Sequence, residues 1–276
     1  MNIERIAILG SGSMGSAILA GLLASGFEAS KVSLSTKSAA SAQRLIDEYG
    51  VNAYSLESNA EANRHAVAGA DVVLVAVKPA YVAETLREVA GDLRADALII
   101  SVAAGITNAT MQDAVPGTVR VIRSMPNTPA IVGRAVTGLA AGTRATAADL
   151  ATATELFETV GKVVVVEESQ IDQLSTISGS GPAYVFYFIE QLTKAAIHHG
   201  FSAEQAATLV NETFLGAAEL VAATGKSPAE LRRQVTSPNG TTERAIATFD
   251  AANLEQVFID ATEAALARAR ELAAGN

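Results

Sequence analysis

Three glycines near the start of the chain have the spacing of a dinucleotide-binding turn. The run Gly10-Ser11-Gly12-Ser13-Met14-Gly15 follows Arg5–Leu9, which is apolar from Ile6 onward, and precedes a helical pattern at Ile18–Leu23. Glycine permits a tight turn, close approach of the backbone to a pyrophosphate and close packing of the helix on the strand. A strand before the motif and a helix after it favour NAD(P) binding over a ligand-free turn.

The end of the second predicted strand indicates which dinucleotide. It reads Ser35-Thr36-Lys37, without the carboxylate that would hold the hydroxyls of an unmodified adenosine ribose. Lys31, Lys37 and Arg44 make residues 31–46 basic and free of acids. Such a segment suits a 2′-phosphate, so we expect NADP(H) to be preferred, with NAD(H) as a second cofactor. The alternative is a solvated, positively charged helix start.

Two more loops are predicted to face the cofactor. They are Ala76-Val77-Lys78-Pro79 and Val102-Ala103-Ala104-Gly105, each after a strand, and Arg123–Pro129 ends the next strand in a similar way. Small residues there would let a nicotinamide ring lie close to the backbone. A purely turn-forming role for each proline and glycine explains these loops nearly as well.

A second candidate site lies near the end of the chain. The run 235–242, Val-Thr-Ser-Pro-Asn-Gly-Thr-Thr, precedes a predicted helix over Glu243–Phe249. Backbone N–H groups and hydroxyls converge at such a helix start and can bind an anion, here a substrate carboxylate. The alternative is an ordinary N-cap, which needs one hydroxyl.

The composition excludes several other kinds of site. The chain has 276 residues, no cysteine, three histidines and a net charge of −9. Thiolate and zinc–thiolate chemistry are therefore excluded, and the histidines have no metal-ligand spacing, so we expect no metal. The negative charge argues against nucleic-acid or anionic-membrane partners. No apolar run approaches the roughly 20 residues of a membrane span, so we expect a cytoplasmic protein.

The elements that must position these residues alternate along the first part of the chain. Short β-branched runs separated by helical patterns predict an α/β fold, a doubly wound parallel sheet with helices on both faces, over residues 1–167. The predicted strands are Arg5–Leu9, Lys31–Ser35, Val51–Tyr54, Asp71–Val77, Ala97–Val102, Val119–Arg123, Val136–Ala141 and Lys162–Val166. The predicted helices include Ser13–Ser25, Ala39–Tyr49, Ala80–Val89 and Ala147–Val160.

Residues 168–276 show no strand pattern and predict a domain of four or five helices. Ser202 and Ser227 begin capping boxes, and Gly225 and Gly240 mark helix ends or turns. The many alanine-rich apolar faces in so short a domain indicate packing against a second chain.

Five motifs together resemble pyrroline-5-carboxylate reductases over essentially the whole chain. They are the glycine turn 10–15, Val77–Pro79, Met125–Pro129, Ser178–Tyr184 and Val235–Thr242. The resemblance implies reduction of 1-pyrroline-5-carboxylate to L-proline, the last step of proline biosynthesis, by hydride transfer from NAD(P)H at the junction of the two domains. It also implies a homo-oligomer, a dimer or five dimers in a ring, built through the helical domain.

The resemblance also implies residue roles. Ser237, Gly240 and Thr241 would hold the substrate carboxylate, and the Thr242 hydroxyl would face the ring nitrogen. Asn59 matches the residue that contacts the adenosine ribose, and Thr36 and Lys37 match the 2′-phosphate site. Gln234 matches a residue near the nicotinamide.

One position departs from the family pattern, since Asn239 stands where Gly is usual. Asn tolerates the left-handed region best among non-glycine residues, so we expect the loop to form, with carboxylate affinity in question.

Two other functions compete with this interpretation. A β-hydroxyacid dehydrogenase would carry a lysine one helical turn after the glycine-rich turn at 179–181, where this chain has residues 185–187 and its first lysine is Lys194. This argues against the dehydrogenase and leaves another NADP-dependent imine reductase of the same two-domain plan as the related alternative. A non-catalytic NADP-binding sensor on the same fold is the second alternative, because a fold alone does not establish turnover.

Overall fold

The computed structural model describes residues 3–273, and its first part is built on one eight-stranded sheet. The strands are β1 (Ile6–Leu9), β2 (Val32–Thr36), β3 (Asn52–Ser55), β4 (Val72–Val75), β5 (Leu98–Ser101), β6 (Arg120–Met125), β7 (Ala135–Ala141) and β8 (Gly161–Val165). Every predicted strand is present, with its ends moved by one or two residues.

The sheet has the order β3-β2-β1-β4-β5-β6-β7-β8 and is mostly parallel. The exception to the predicted parallel arrangement is at one edge, where β7 runs antiparallel to β6 and β8 runs parallel to β7. The connection from Met125 to Ala135 is too short for the crossover helix that a parallel return needs, so the chain reverses there.

Helices cover both faces of the sheet, as predicted. They are α1 (Ser13–Ala24), α2 (Ala39–Tyr49), α3 (Ala62–Val67), α4 (Val82–Val89), α5 (Asn108–Gln112), α6 (Ala147–Glu158) and α7 (Ile171–Leu174). Successive side chains of β1 point to opposite faces. Ile6 and Ile8 pack with α1, α2 and α6, whereas Ala7 and Leu9 pack with α3, α4 and α5. Truncation of Ile8 to Ala would cost about 2–5 kcal/mol of stability.

The order of the strands places a crevice at the carboxyl end of β1. The neighbours of β1 are β2 on one side and β4 on the other, so the connection from β1 leads to β2 in one direction and the connection from β4 leads to β5 in the other. The loops that follow β1, β2 and β4 diverge at this point, which is where open α/β sheets bind their ligands.

The second part of the described chain is helical. Its helices are α8 (Gly181–His198), α9 (Ala203–Thr224), α10 (Pro228–Gln234), α11 (Thr241–Ala251) and α12 (Leu254–Ala273). Both predicted capping boxes are confirmed, one at α9 from Ser202 and Gln205 and the other at α10 from Ser227 and Glu230.

The chain divides into two compact units after Ser180. Residues Gly181–Ala265 form one unit, and the rest of the described chain forms the other. This division comes later than the boundary predicted at residue 167, because residues 171–174 pack on the sheet. The side chains of Ile171 and Leu174 fill the space that a Cβ on Gly138 of β7 would occupy.

The helices of the second unit leave most of their apolar side chains in contact with solvent. Ala206 and Val210 are the buried apolar residues in Gly181–Ala265. Phe186 and Tyr187 of α8 are 64% and 60% exposed. Exposed aromatic faces of this size are typical of surfaces that another chain covers.

Candidate functional site

Two of the three motif glycines are required by backbone packing. Gly10 has a φ of 96°, and a Cβ there would lie 2.8 Å from the carbonyl oxygen of Ala76. A Cβ on Gly15 would lie 2.5 Å from the carbonyl oxygen of Gly10. Both contacts are closer than real Cβ atoms tolerate, so these glycines let β1, α1 and the loop after β4 come together.

Gly12 differs from these two. It is the N-cap of α1 with φ −68° and ψ −177°, which any residue can adopt, and a Cβ there would meet no protein atom within 4 Å. No side chain caps this helix end, and its first turn holds no acid. The positive end of the helix dipole therefore faces open space, which suits a pyrophosphate.

A cleft of about 770 Å³ lies over this helix start. Nine of the predicted cofactor residues line it, namely Gly10, Ser11, Gly12, Ser35, Thr36, Lys37, Ala76, Val77 and Lys78. The loops after β1, β2 and β4 thus meet at one cleft, as the crevice beside β1 requires.

The other predicted cofactor residues do not line this cleft. They are Ser13, Met14, Gly15, Asn59, Pro79, Val102, Ala103, Ala104 and, in the helical unit, Gln234. Gly15 and Ala103 are buried, and Met14 packs against the core. The side chain of Asn59 is engaged locally, because its Oδ1 accepts from Glu61 N at 2.9 Å and its Nδ2 lies 3.2 Å from His65 Nδ1.

The cleft also has a wall that the sequence motifs did not indicate. Its residues are Ser41, Leu56, Ala60, Asn63, Tyr81, Glu84, Thr85 and Glu88. Asn63 Nδ2 donates to Glu88 Oε2 at 2.8 Å across α3 and α4. The 81, 84, 85 and 88 spacing places these side chains on one helix face, so a helical-face analysis of α4 could have found them.

The end of β2 offers one exposed cation at the cleft. Ser35 and Thr36 are buried, and the Thr36 hydroxyl donates to the carbonyl oxygen of Ser38 at 2.9 Å. Lys37 is exposed and forms no ion pair with another residue of the described chain.

The loop after β6 is fixed from both sides. Asn127 is 8% exposed; its Oδ1 accepts from Val136 N and its Nδ2 donates to the carbonyl oxygen of Ser178, both at 2.9 Å. Ser178 lies in a π-helical turn, Ser175–Gly179, closed by a 2.8 Å bond from Ser180 N to the carbonyl oxygen of Ser175. The glycine-rich turn at 179–181 therefore separates α7 from α8.

The predicted anion loop precedes α11. Asn239 adopts the left-handed region with a φ of 59°, which confirms that Asn lets the loop form. Gly240 N donates to the carbonyl oxygen of Ser237 at 2.9 Å, and a Cβ on Gly240 would lie 2.9 Å from that oxygen. Asn239 N donates to Glu243 Oε2 at 2.9 Å, so the first turn of the helix holds the loop in place.

The helix behind this loop begins earlier than predicted, at Thr241 rather than Glu243. Gly240 is its N-cap and provides no side-chain cap, so no hydroxyl of the loop is spent on capping the helix. Ser237 and Thr241 are exposed and Thr242 is half-buried. The loop therefore presents polar groups at the positive end of a helix of eleven residues.

Residues 3–273 contain neither a cluster of metal ligands nor a helix that could cross a membrane. No three or more His, Asp or Glu side chains in that range come together as metal ligands. No helix in the same range combines the length and hydropathy that a membrane crossing needs.

Two family models match the chain. Residues 168–272 match the model described as pyrroline-5-carboxylate reductase dimerisation. Residues 5–105 match the model described as NADP oxidoreductase, coenzyme F420-dependent.

Named proteins resemble the chain over its whole length. A pyrroline-5-carboxylate reductase of Pseudomonas aeruginosa is 39% identical and covers 99% of this chain and 98% of its own. The structure of a pyrroline-5-carboxylate reductase from Coxiella burnetii superposes with a TM-score of 0.91 at 35% identity. The match covers 98% of this chain and 99% of that one. The structure of a Plasmodium falciparum pyrroline carboxylate reductase with NADP bound has a TM-score of 0.82 and 25% identity. The match covers 99% of this chain and 98% of that one.

Proposed function

The chain belongs to the pyrroline-5-carboxylate reductase family, and from that premise we propose which of its residues hold the nucleotide and the substrate. It is an NAD(P)H-dependent oxidoreductase that reduces 1-pyrroline-5-carboxylate to proline. The observation that carries the assignment is the open space over Gly12, at an uncapped helix start within a cleft lined by nine predicted residues.

The pyrophosphate binds at the start of α1. The backbone N–H groups of residues 11–14 are the donors, and the absence of a Cβ on Gly12 lets the phosphates approach them. The adenosine lies toward β2 and the nicotinamide toward the loops after β4 and β5, with Asn59 at the ribose and Val102–Ala104 near the ring. The position of Asn59 rests on the family resemblance, and that of the loop after β5 rests on its small residues at the carboxyl end of a strand.

NADPH is the preferred nucleotide. The exposed Lys37 without an ion pair, beside the buried Thr36 at the carboxyl end of β2, supports this preference. A point charge at this place attracts a 2′-phosphate and offers nothing specific to a free hydroxyl. NADH serves as the weaker cofactor.

The substrate carboxylate binds at the start of α11. The exposed Ser237 hydroxyl lies in the loop before this helix and the Thr241 N–H at its first residue, where the positive helix end favours an anion. Gly240, the N-cap between them, lets the carboxylate approach closely, while its own N–H holds the loop by donating to the carbonyl oxygen of Ser237. The Thr242 hydroxyl, one residue further on, forms a hydrogen bond at the ring nitrogen. The family resemblance assigns Gln234, at the end of α10, to the nicotinamide.

The chemistry needs positioning more than acid–base catalysis. A protonated imine is already a good hydride acceptor, and the reduced nicotinamide, when bound, supplies the hydride for its carbon. The electron pair of the C=N bond moves onto nitrogen, which keeps its proton. The residues of the anion loop accordingly orient the ring, and none of them is a strong acid.

The protein is a homo-oligomer, because its helical part matches a dimerisation model of the family. We propose a dimer formed through the exposed apolar faces of α8 and its neighbouring helices, with five dimers in a ring as the larger assembly. A cytoplasmic location remains a prediction from the sequence.

The test is an assay of purified protein with pyrroline-5-carboxylate, following the ultraviolet absorbance of the reduced nicotinamide and identifying the product. We expect oxidation of NADPH with proline as product, and slower oxidation of NADH at equal concentration. Binding of NADPH without oxidation by this substrate would contradict the assignment. Faster turnover with NADH would overturn the cofactor preference alone.

A further inference from the structure

A carboxylate from the loop after β3, that of Glu57, reaches the start of α2, beside the proposed 2′-phosphate position. The pairing of β2 with β3 continues past the Thr36–Ser55 pair, because Leu56 N donates to the carbonyl oxygen of Thr36 at 2.9 Å and Glu57 N to that of Lys37 at 3.1 Å. The main chain at Glu57 is thereby fixed against Lys37.

The side chain of Glu57 then turns back onto the helix. Its Oε2 accepts a 2.8 Å hydrogen bond from the backbone N–H of Ala39, the first residue of α2. Ser38 is the N-cap and accepts from Ser41 N, so the two groups satisfy different donors of the same helix end. The first turn of α2 contains no acid of its own, and Glu57 supplies the negative charge there from the loop after β3.

The Glu57 carboxylate lies close to the place proposed for the 2′-phosphate. Lys37, Ser38, Leu56 and Glu57 together form a depression of about 570 Å³, and Lys37 and Leu56 also line the nucleotide cleft. A 2′-phosphate beside Lys37 would meet a group of like charge that already holds a helix N–H. NADH carries no charge at this position and meets no such competition.

We propose that Glu57 is a specificity-determining residue whose carboxylate occupies the start of α2 and lowers the preference for NADPH over NADH. The proposal rests on the proposed function, in which Thr36 and Lys37 read the 2′-phosphate. Binding of NADPH then requires the side chain of Glu57 to leave Ala39 N or to tolerate the phosphate beside it.

The test is Glu57→Gln, which keeps an oxygen acceptor for Ala39 N and removes the charge. We expect the KM for NADPH to fall about fivefold, the effect of removing one like charge at a solvated separation of a few ångströms. The KM for NADH should change less than about twofold by the same reasoning. The ratio of kcat/KM for NADPH to kcat/KM for NADH therefore rises. The gain should shrink as ionic strength rises, because salt screens exposed charges.

A matched control is Glu61→Gln. Glu61 is another exposed acid of the same loop, does not line the cleft and has its carboxylate 3.7 Å from Arg64. Glu61→Gln also removes one negative charge from the chain, and the ratio of kcat/KM for NADPH to that for NADH should stay unchanged. A wild-type ratio in Glu57→Gln, a lower ratio, or an equal rise in Glu61→Gln would overturn the proposal.

The outcomes separate this proposal from the function on which it rests. If the wild-type protein oxidises neither nucleotide with pyrroline-5-carboxylate, the proposed function fails. If it does turn over and the ratio is unmoved by Glu57→Gln, only the role of Glu57 fails. Equilibrium binding of NADPH and NADH without substrate measures the same ratio independently of turnover.

Discussion

The side-chain amide of Asn127 joins the loop after β6 to the π-helical turn, because its Nδ2 donates to the carbonyl oxygen of Ser178 at 2.9 Å. The same side chain accepts from Val136 N at the start of β7. Two backbone groups, on either side of a nearly buried asparagine, thus depend on one residue.

Replacement of Asn127 with Ala should lower the free energy of unfolding by about 1–3 kcal/mol, because two backbone groups lose their partner. Urea unfolding measures the change. Asn52→Ala is the control, since Asn52 is exposed and donates to the carbonyl oxygen of Ser30 at 3.0 Å. An equal loss in both variants would show that burial at Asn127 contributes nothing.

Gly12→Ala should fold normally and bind NADPH poorly. The new Cβ meets no protein atom within 4 Å, yet it enters the space proposed for the pyrophosphate. We expect an unfolding temperature close to that of the wild type and a Kd for NADPH raised about tenfold or more. Calorimetric titration measures the affinity.

Two further glycines provide controls for this prediction. Gly91→Ala also adds a Cβ into open space, away from the cleft, and should leave both stability and affinity unchanged. Gly15→Ala places its Cβ 2.5 Å from a backbone oxygen and should destabilise the protein. Wild-type NADPH affinity in Gly12→Ala would contradict the proposed position of the pyrophosphate at the start of α1.

Thr242→Ala should be impaired but active. Loss of one hydroxyl at the ring nitrogen should lower kcat/KM for the imine by about ten- to a hundredfold, less than the loss of an essential acid would. Steady-state kinetics at saturating NADPH measures it. Thr248→Ala, on the same helix and with its hydroxyl bonded to the carbonyl oxygen of Arg244, should behave as wild type. Wild-type kinetics in Thr242→Ala would rule out its proposed role.

Asn239 should be replaceable by Gly at little cost. The backbone there already has a φ of 59°, which Gly adopts freely, and the N–H bond to Glu243 does not involve the Asn side chain. We expect a substrate KM within about twofold of the wild type for Asn239→Gly, whereas Asn239→Ala should cost about 1–2 kcal/mol in the loop and raise the KM. A large gain in affinity for Asn239→Gly would mean that Asn weakens carboxylate binding.

The pH dependence of stability should contain a contribution from Glu230. The Ser227 hydroxyl donates to its carboxylate at 2.8 Å and the Ser227 N–H at 3.0 Å, and these bonds hold the pKa of Glu230 below its usual value. A carboxyl with a folded pKa below its unfolded one stabilises the fold above the unfolded pKa. That stabilisation disappears as the pH falls through the folded pKa.

Thermal unfolding of wild type and Glu230→Gln at several pH values tests this. The wild type should be more stable at neutral pH, and the gap should close in acid, where its carboxyl becomes neutral. Glu204→Gln, an acid in the first turn of α9, controls for the loss of charge. A gap that is the same at every pH would show that the pKa of Glu230 is not lowered.

The sequence by itself determined the elements and nine of the residues that line the proposed nucleotide cleft. An uninterrupted apolar run fixes a strand such as β1, because its side chains must reach cores on both faces of the sheet. Glycine spacing located the start of α1, and the Ser–Gln and Ser–Glu patterns located α9 and α10, because capping depends on residues three apart in the chain.

Only the tertiary structure decided which parts of distant segments meet. The reversal of β7 depends on the length of one connection, and the wall formed by Asn63 and Glu88 depends on how α3 and α4 pack. The bond from Ala39 to Glu57 joins residues 18 positions apart, across the parallel pairing of β2 with β3. Such contacts follow from strand register and helix packing, which no local pattern in the sequence encodes.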